Sequence, residues 1–191
     1  MTEVKVKPGP YQESDGSPVT AEDANAAWIP LARQALEKVA RVYPSVIDYG
    51  TLAEEVQSTS GIRTNQVLRH WIGDVLGAVT SDCSAKGEPL LSALCVRQDG
   101  SIGDGYGVAL VETYGGVAPD DLELAAAEER LRCYQYFGAT MPADGGRPTL
   151  TPTVAARRRV ASRRAREDRV RPSCPSCHIR LSASGECEYC N

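Results

Sequence analysis

The chain has 191 residues, 42% of them apolar, with a net charge of −4 at neutral pH. That length suits one domain plus an appendage, and with one Phe and two Trp any core must be mostly aliphatic. No run of 18 uncharged apolar residues exists, which excludes a spanning helix, and the opening MTEVKVKPGPYQESDGSP lacks the apolar segment of a secretory signal.

Residues 1–19, rich in Pro, Gly, Ser and charge, read as a flexible arm. Thr20 followed by Asp23 forms an N-terminal cap signature, which predicts a helix through AEDANAAWIPLARQALEKVARVY to about Val42. Pro30 should kink or restart it, and Trp28, Leu31, Leu36 and Val39 are its expected buried face. YGTLAEEVQ reads as a short helix begun at a Thr51 cap and broken by Gly61. A longer helix is expected from Thr64 through TNQVLRHWIGDVLGAVTSDC. Val67, Trp71, Ile72, Val75, Leu76 and Val79 make one helical stripe there, and Gly73 and Gly77 would admit another backbone.

Gly87 and Pro89 end that pattern. LLSALCV reads as a strand, QDGS as the Asp-Gly turn of a hairpin, and GVALVETY as the returning strand. APDDLELAAAEERLRCYQYFG has Pro and acids at its start, Arg130 and Arg132 near its end and Gly138 beyond, a charge order that suits a helix. Residues 139–153 read as a linker. The expected domain is therefore 20–138, an α+β body, followed by a basic helix at 154–172 and a cysteine unit at 173–191.

The charge is unevenly divided. Residues 1–153 carry twelve Lys and Arg against 21 Asp and Glu, a net of −9, whereas residues 154–191 carry nine Arg against four acids, a net of +5. Such a split suggests an anionic partner for the tail, or docking of the tail on its own acidic body. Arg157, Arg158, Arg159, Arg163, Arg164, Arg166, Arg169 and Arg171 spread around a helix rather than along one face. Guanidinium groups suit bidentate phosphate contacts, which points to nucleic acid; a solvated linker helix is the plainer reading.

The chain ends in CPSCHIRLSASGECEYCN, two CxxC pairs nine residues apart. Each pair can turn around a metal with both sulfurs and nearby backbone N–H groups pointing inward. Two facing pairs complete a closed tetrahedral site of four thiolates, Cys174, Cys177, Cys187 and Cys190, the usual setting of structural Zn²⁺. So short a segment cannot bury a core, and metal binding would be what folds it into a zinc ribbon. Ile179-Arg180-Leu181 would form a short strand and Ser184-Gly185 the turn that returns the chain. Rubredoxin-like iron, two disulfides and a His178 ligand are the alternatives. Iron knuckles usually have Gly after each pair, where His178 and Asn191 stand here. The expected reducing, cytoplasmic setting argues against disulfides. Cys83, Cys95 and Cys133 are expected as small buried residues without a histidine partner. No acid–base pair, nucleophile or open metal site is recognisable, so no catalytic residue is assigned.

The stretch YGTLAEEVQSTSGIRTNQVLRHWIGDVL, continued by GEPLLSALCVRQDGSIGDGYG, resembles a module of bacterial proteins, often actinobacterial or phage-borne, associated with HNH endonucleases. The resemblance covers about 60 residues and is carried by Tyr49, Leu52, Ala53, the following helix, Pro89, Leu90 and DGSIGDGYG. The histidines of an HNH nuclease are missing, so that chemistry does not carry over. More remotely, the order of elements is similar to the winged-helix half of alkyltransferase-like proteins. The acceptor cysteine of that family would fall near Ser92, and its Pro-Cys-His-Arg signature is absent. This likeness implies a winged-helix-like body with a small β-hairpin, in which Arg63, Asn65, Gln66 and Arg69 lie on the first turns of a recognition helix and reach bases or phosphates. The expected function is a non-enzymatic zinc-ribbon protein that binds nucleic acid, DNA first. The alternative is an adaptor for another protein in a DNA-processing or defence complex. No membrane partner is expected.

Overall fold

A computed structural model describes residues 9–167, 173–179, 181–182 and 185–190. The chain divides into two compact units, Met1–Val154 and Ala155–Asn191. Among the described residues no helix is long and apolar enough to cross a membrane.

The first unit is a mixed α+β body, as the sequence pattern implies, with helices dominating two very small sheets. Strand β1 (Pro10–Gln12) pairs antiparallel with β3 (Ile62–Thr64), Tyr11 opposite Arg63. Residues 10–12 of the supposed arm are thereby tied to the body. Helix α1 (Ala21–Ala40) begins at the expected cap, where the Thr20 hydroxyl accepts the Asp23 N–H at 3.0 Å. It passes through Pro30 without a restart. Pro30 and Ala26, whose carbonyl loses its partner, are both exposed, so water can satisfy that group. The opposite face buries Ala24, Trp28, Ala32, Ala35, Leu36 and Ala40.

Strand β2 (Ile47–Asp48) runs parallel to β4 (Cys95–Val96) and leads into α2 (Tyr49–Ser60). The cap of α2 is Asp48 rather than Thr51: its carboxylate accepts the Gly50 and Thr51 N–H groups at 2.9 and 3.0 Å. Gly61 ends the helix in the left-handed region at φ 68°, as expected from the sequence.

The long helix expected from Thr64 is not continuous. Residues 62–64 belong to β3, Leu68–His70 form a single 3-10 turn, and α3 spans Ile72–Lys86. Pairing with the distant β1 holds residues 62–64 extended, which no local pattern reveals. Trp71 then seats against Trp28, with ring centroids 4.5 Å apart. The Trp28 indole N–H lies 3.2 Å from both Ser60 Oγ and the Ile62 carbonyl. One ring thus joins α1, α2 and β3.

Gly87 closes α3 at φ 67°. Residues 91–94 are a buried 3-10 turn rather than a strand, and only Cys95–Val96 is extended. The Asp-Gly turn forms: Gly100 has φ 78°, Asp99 Oδ1 accepts the Ser101 N–H at 2.9 Å, and Val96 bridges Ile102. The chain then departs from the hairpin expected there. GVALVETY lies in helix α4 (Tyr106–Tyr114), with Tyr106, Gly107 and Leu110 buried. The returning strand of a wing is accordingly a helix.

Helix α5 (Leu122–Tyr136) starts at Asp121, whose carboxylate accepts the Leu124 N–H at 3.0 Å. Two charged side chains on it are buried. Glu129 accepts the Leu90 N–H at 2.7 Å, the Tyr114 hydroxyl at 2.6 Å and Arg132 at 3.3 Å. Arg130 donates to the Ala93 carbonyl at 3.3 Å. These bonds fasten α5 to the 3-10 turn and to α4. Residues 139–153 lie in the first unit and are anchored to it by the Thr151 hydroxyl on the Gly100 carbonyl at 2.8 Å and by Gln135 Nε2 on the Gly145 carbonyl at 3.2 Å. Leu36, Leu52, Leu90, Leu91 and Leu94 are fully buried. Each such side chain contributes roughly 2 kcal/mol by leaving water.

Helix α6 (Pro152–Glu167) is the expected basic helix, though residues 168–172 of that expectation lie outside the described residues.

Candidate metal centre

In the second unit the chain turns back after Cys174: the Cys174 N–H donates to the Ile179 carbonyl and the His178 N–H to the Cys174 carbonyl, both at 2.8 Å. His178 takes the left-handed conformation at φ 58°, the place that glycine commonly fills after a CxxC pair. Histidine tolerates this region better than most residues. A second turn follows, in which the Ser182 N–H donates to the Glu186 carbonyl at 3.2 Å and the Gly185 N–H to the Ser182 carbonyl at 3.1 Å. Gly185 has φ 83°, as a returning turn requires. Arg180 of the expected strand and Ser184 of the expected turn lie outside the described residues.

These two turns bring four sulfurs together. The Sγ atoms of Cys174, Cys177, Cys187 and Cys190 all lie within 4.8 Å of one another. Cys174 and Cys190 stand 3.8 Å apart, Cys177 and Cys187 3.5 Å. A disulfide requires about 2.05 Å, so all four are free thiols. A tetrahedral ion with metal–sulfur bonds of about 2.3 Å would separate its sulfurs by about 3.8 Å. The donor set therefore fits one metal ion with little movement.

Local electrostatics favour at least one thiolate. The N–H groups of Cys177 and Ser176 point at Cys174 Sγ and bring its thiol down to about 6. Cys190 is pushed up to about 12, because the sulfurs of Cys177, Cys174 and Cys187 beside it disfavour a further negative charge. A metal cation held by the four sulfurs would resolve that conflict, and its binding would release protons. His178, with its backbone turned through the knuckle, is not needed as a donor. The three remaining cysteines, Cys83, Cys95 and Cys133, are buried in the first unit as expected, and burial pushes all three thiols up.

Of the arginines assigned to nucleic acid, Arg157, Arg158, Arg159, Arg163, Arg164 and Arg166 lie on α6, exposed except for the half-buried Arg158. They occupy the whole circumference, as the sequence implies. Arg169 and Arg171 lie outside the described residues. The second group is not brought onto one helix. Arg63 sits in β3, Asn65 and Gln66 in the connection after it, and Arg69 in the 3-10 turn. Arg63 is already bound to both oxygens of Glu54 at 2.7 Å and to Glu13 at 3.1 Å. The recognition-helix geometry is thus corrected, because β-pairing displaces the helix start by eight residues, from Thr64 to Ile72.

The chain matches no protein family, no curated protein and no solved structure with which it was compared. Sequence reasoning found the four thiols from spacing alone. It missed the particular N–H donors of Ser176 and Cys177 and the left-handed His178, which depend on the turn geometry.

Proposed function

We propose that this chain is a non-enzymatic accessory protein that associates with nucleic acid, DNA in particular, through a basic tail stapled by a structural Zn²⁺. The observation that carries the reading is the closed set of four thiols: a site with four protein donors keeps no position open for substrate, so the ion serves folding. Zinc, with no geometric preference of its own, suits a tetrahedral thiolate cage. The six described arginines of α6 supply guanidinium groups suited to bidentate phosphate contacts, which supports this reading.

A second reading is favoured by the first unit. Its net charge of −9 and the engagement of Arg63 with Glu54 and Glu13 suit a protein partner better than a phosphate backbone. In that reading the body is an adaptor of a DNA-processing or defence complex, in keeping with the resemblance to HNH-associated modules, and the basic tail docks on an acidic protein partner.

Duplex-binding affinity measured across salt concentrations tests the first reading. If the six arginines neutralise phosphates, log K against log salt falls with a slope of about −5. Replacing them with Gln should flatten the slope and weaken binding by more than tenfold. Salt-independent binding, or none at low salt with a stable protein complex instead, would favour the adaptor.

A further inference from the structure

The first unit holds a cavity of about 520 Å³ that nothing in the metal or tail chemistry uses. Its walls come from α2, the 3-10 turns at 68–70 and 91–94, α3, the residue 97–105 loop and the first turns of α4. Pockets of this size are typical of sites for small organic ligands.

One face of α3 forms the floor, with Ile72, Gly73, Leu76, Gly77 and Thr80 following one another at helical spacing. A Cβ placed on Gly73 or Gly77 would meet nothing within 4 Å. The sequence suggested that these glycines admit another backbone; instead they face open space. A glycine inside a helix costs about 1 kcal/mol relative to alanine. Gly77 bears that cost in the interior of α3 with no close packing in return, which is explained if the space itself is used.

The polar groups are graded from the inner end to the mouth. Inside, the Thr80 and Ser92 hydroxyls are buried and stand 2.8 Å apart, with Thr80 also 2.9 Å from the Leu76 carbonyl, so they satisfy one another. The walls beside them, Leu76, Ile72, Ile102 and Ala109, are apolar. The exposed Arg69 and the half-buried Arg97 mark the mouth. Arg97 is held by Asp104 at 2.6 Å, whereas Arg69 makes no ion pair among the described residues. The first turn of α4 adds positive potential, since it contains no acid and Gly105 offers no side-chain cap. The mouth is therefore net positive in a unit whose total charge is −9.

We propose that this cavity binds a small amphipathic anion, its apolar body lying over Gly73 and Gly77 and its carboxylate-like head group held at Arg69. A guanidinium fork matches a carboxylate in shape as well as charge, and the mutually bonded Thr80 and Ser92 hydroxyls ask for no polar atom beside them.

The test uses the full zinc-loaded chain and 8-anilinonaphthalene-1-sulfonate, an apolar anion that fluoresces when sheltered from water. One saturable site is expected, displaced by octanoate at least tenfold more effectively than by octylamine. Gly77→Leu, which fills the floor from an open position, should weaken binding at least tenfold while the melting temperature holds or rises, since the helix loses an interior glycine. Arg69→Gln, at an exposed position, should weaken it at least fivefold and keeps the test valid if Gly77→Leu folds poorly. Neither change touches the arginine tail. Absence of saturable binding, equal displacement by octylamine, or unchanged affinity in Arg69→Gln would overturn the proposal.

Discussion

Gly103 stands where the 97–105 loop passes the end of α2. The Tyr49 hydroxyl occupies the place that a Cβ at position 103 would take, and Tyr49 Cζ would stand 3.3 Å from it. Tyr49 packs against the core, so the ring has little freedom to yield. Gly103→Ala forces ring or loop to move, an overpacking that costs about 2 kcal/mol. Tyr49→Phe removes the offending oxygen and leaves only the tight ring-carbon contact. In that background the same alanine should cost about 1 kcal/mol, a coupling of about 1 kcal/mol. Urea unfolding of the four proteins measures the cycle, and the coupling corresponds to about 3 °C in melting temperature for a chain of this size. Gly103→Ala melting like the parent, or an equal penalty with Phe at position 49, would refute the reasoning.

Three other consequences concern the scaffold and the knuckle. Glu129→Leu leaves the buried Leu90 N–H without an acceptor and should cost about 3 kcal/mol in urea unfolding, whereas Glu129→Gln keeps one and should cost about 1 kcal/mol. Asp48→Ala should lose about 1 kcal/mol of capping. The Thr51 hydroxyl, then the Thr51 and Gly50 N–H groups, hold the Asp48 carboxyl below its ordinary 3.8, so its added stability is present above that pH and is lost as pH falls through the lower folded value. Asp48→Asn should keep the cap and reduce the acid sensitivity. His178→Gly relieves a left-handed residue by about 1 kcal/mol and should raise metal affinity about fivefold in competition with a chelator, and His178→Val should lower it.

Much of the fold was readable from local chemistry. Thr20 capped its helix, Gly61 and Gly87 ended theirs, Asp99-Gly100 made its turn, and Cys83, Cys95 and Cys133 were buried. The misreadings share a physical cause. Residues 62–64 are extended because of a partner some 50 positions earlier, and cap-like Thr64 masked the later helix start at Ile72. GVALVETY is rich in β-branched and aromatic residues, yet Tyr106 and Leu110 lie four apart on the buried face of a helix. At the metal centre, spacing identified every sulfur because the CxxC turn is local. The cavity was illegible, since Gly73 and Gly77 acquire meaning only when α4 and the 97–105 loop leave the space above them open.

The central claim is that Cys174, Cys177, Cys187 and Cys190 jointly hold one ion. Elemental analysis of the dialysed full chain tests it most directly. One zinc per chain is predicted, falling to near zero when Cys174 and Cys187 are both changed to Ser. A metal-free parent protein, or one metal per chain retained by the doubly substituted one, would contradict the account.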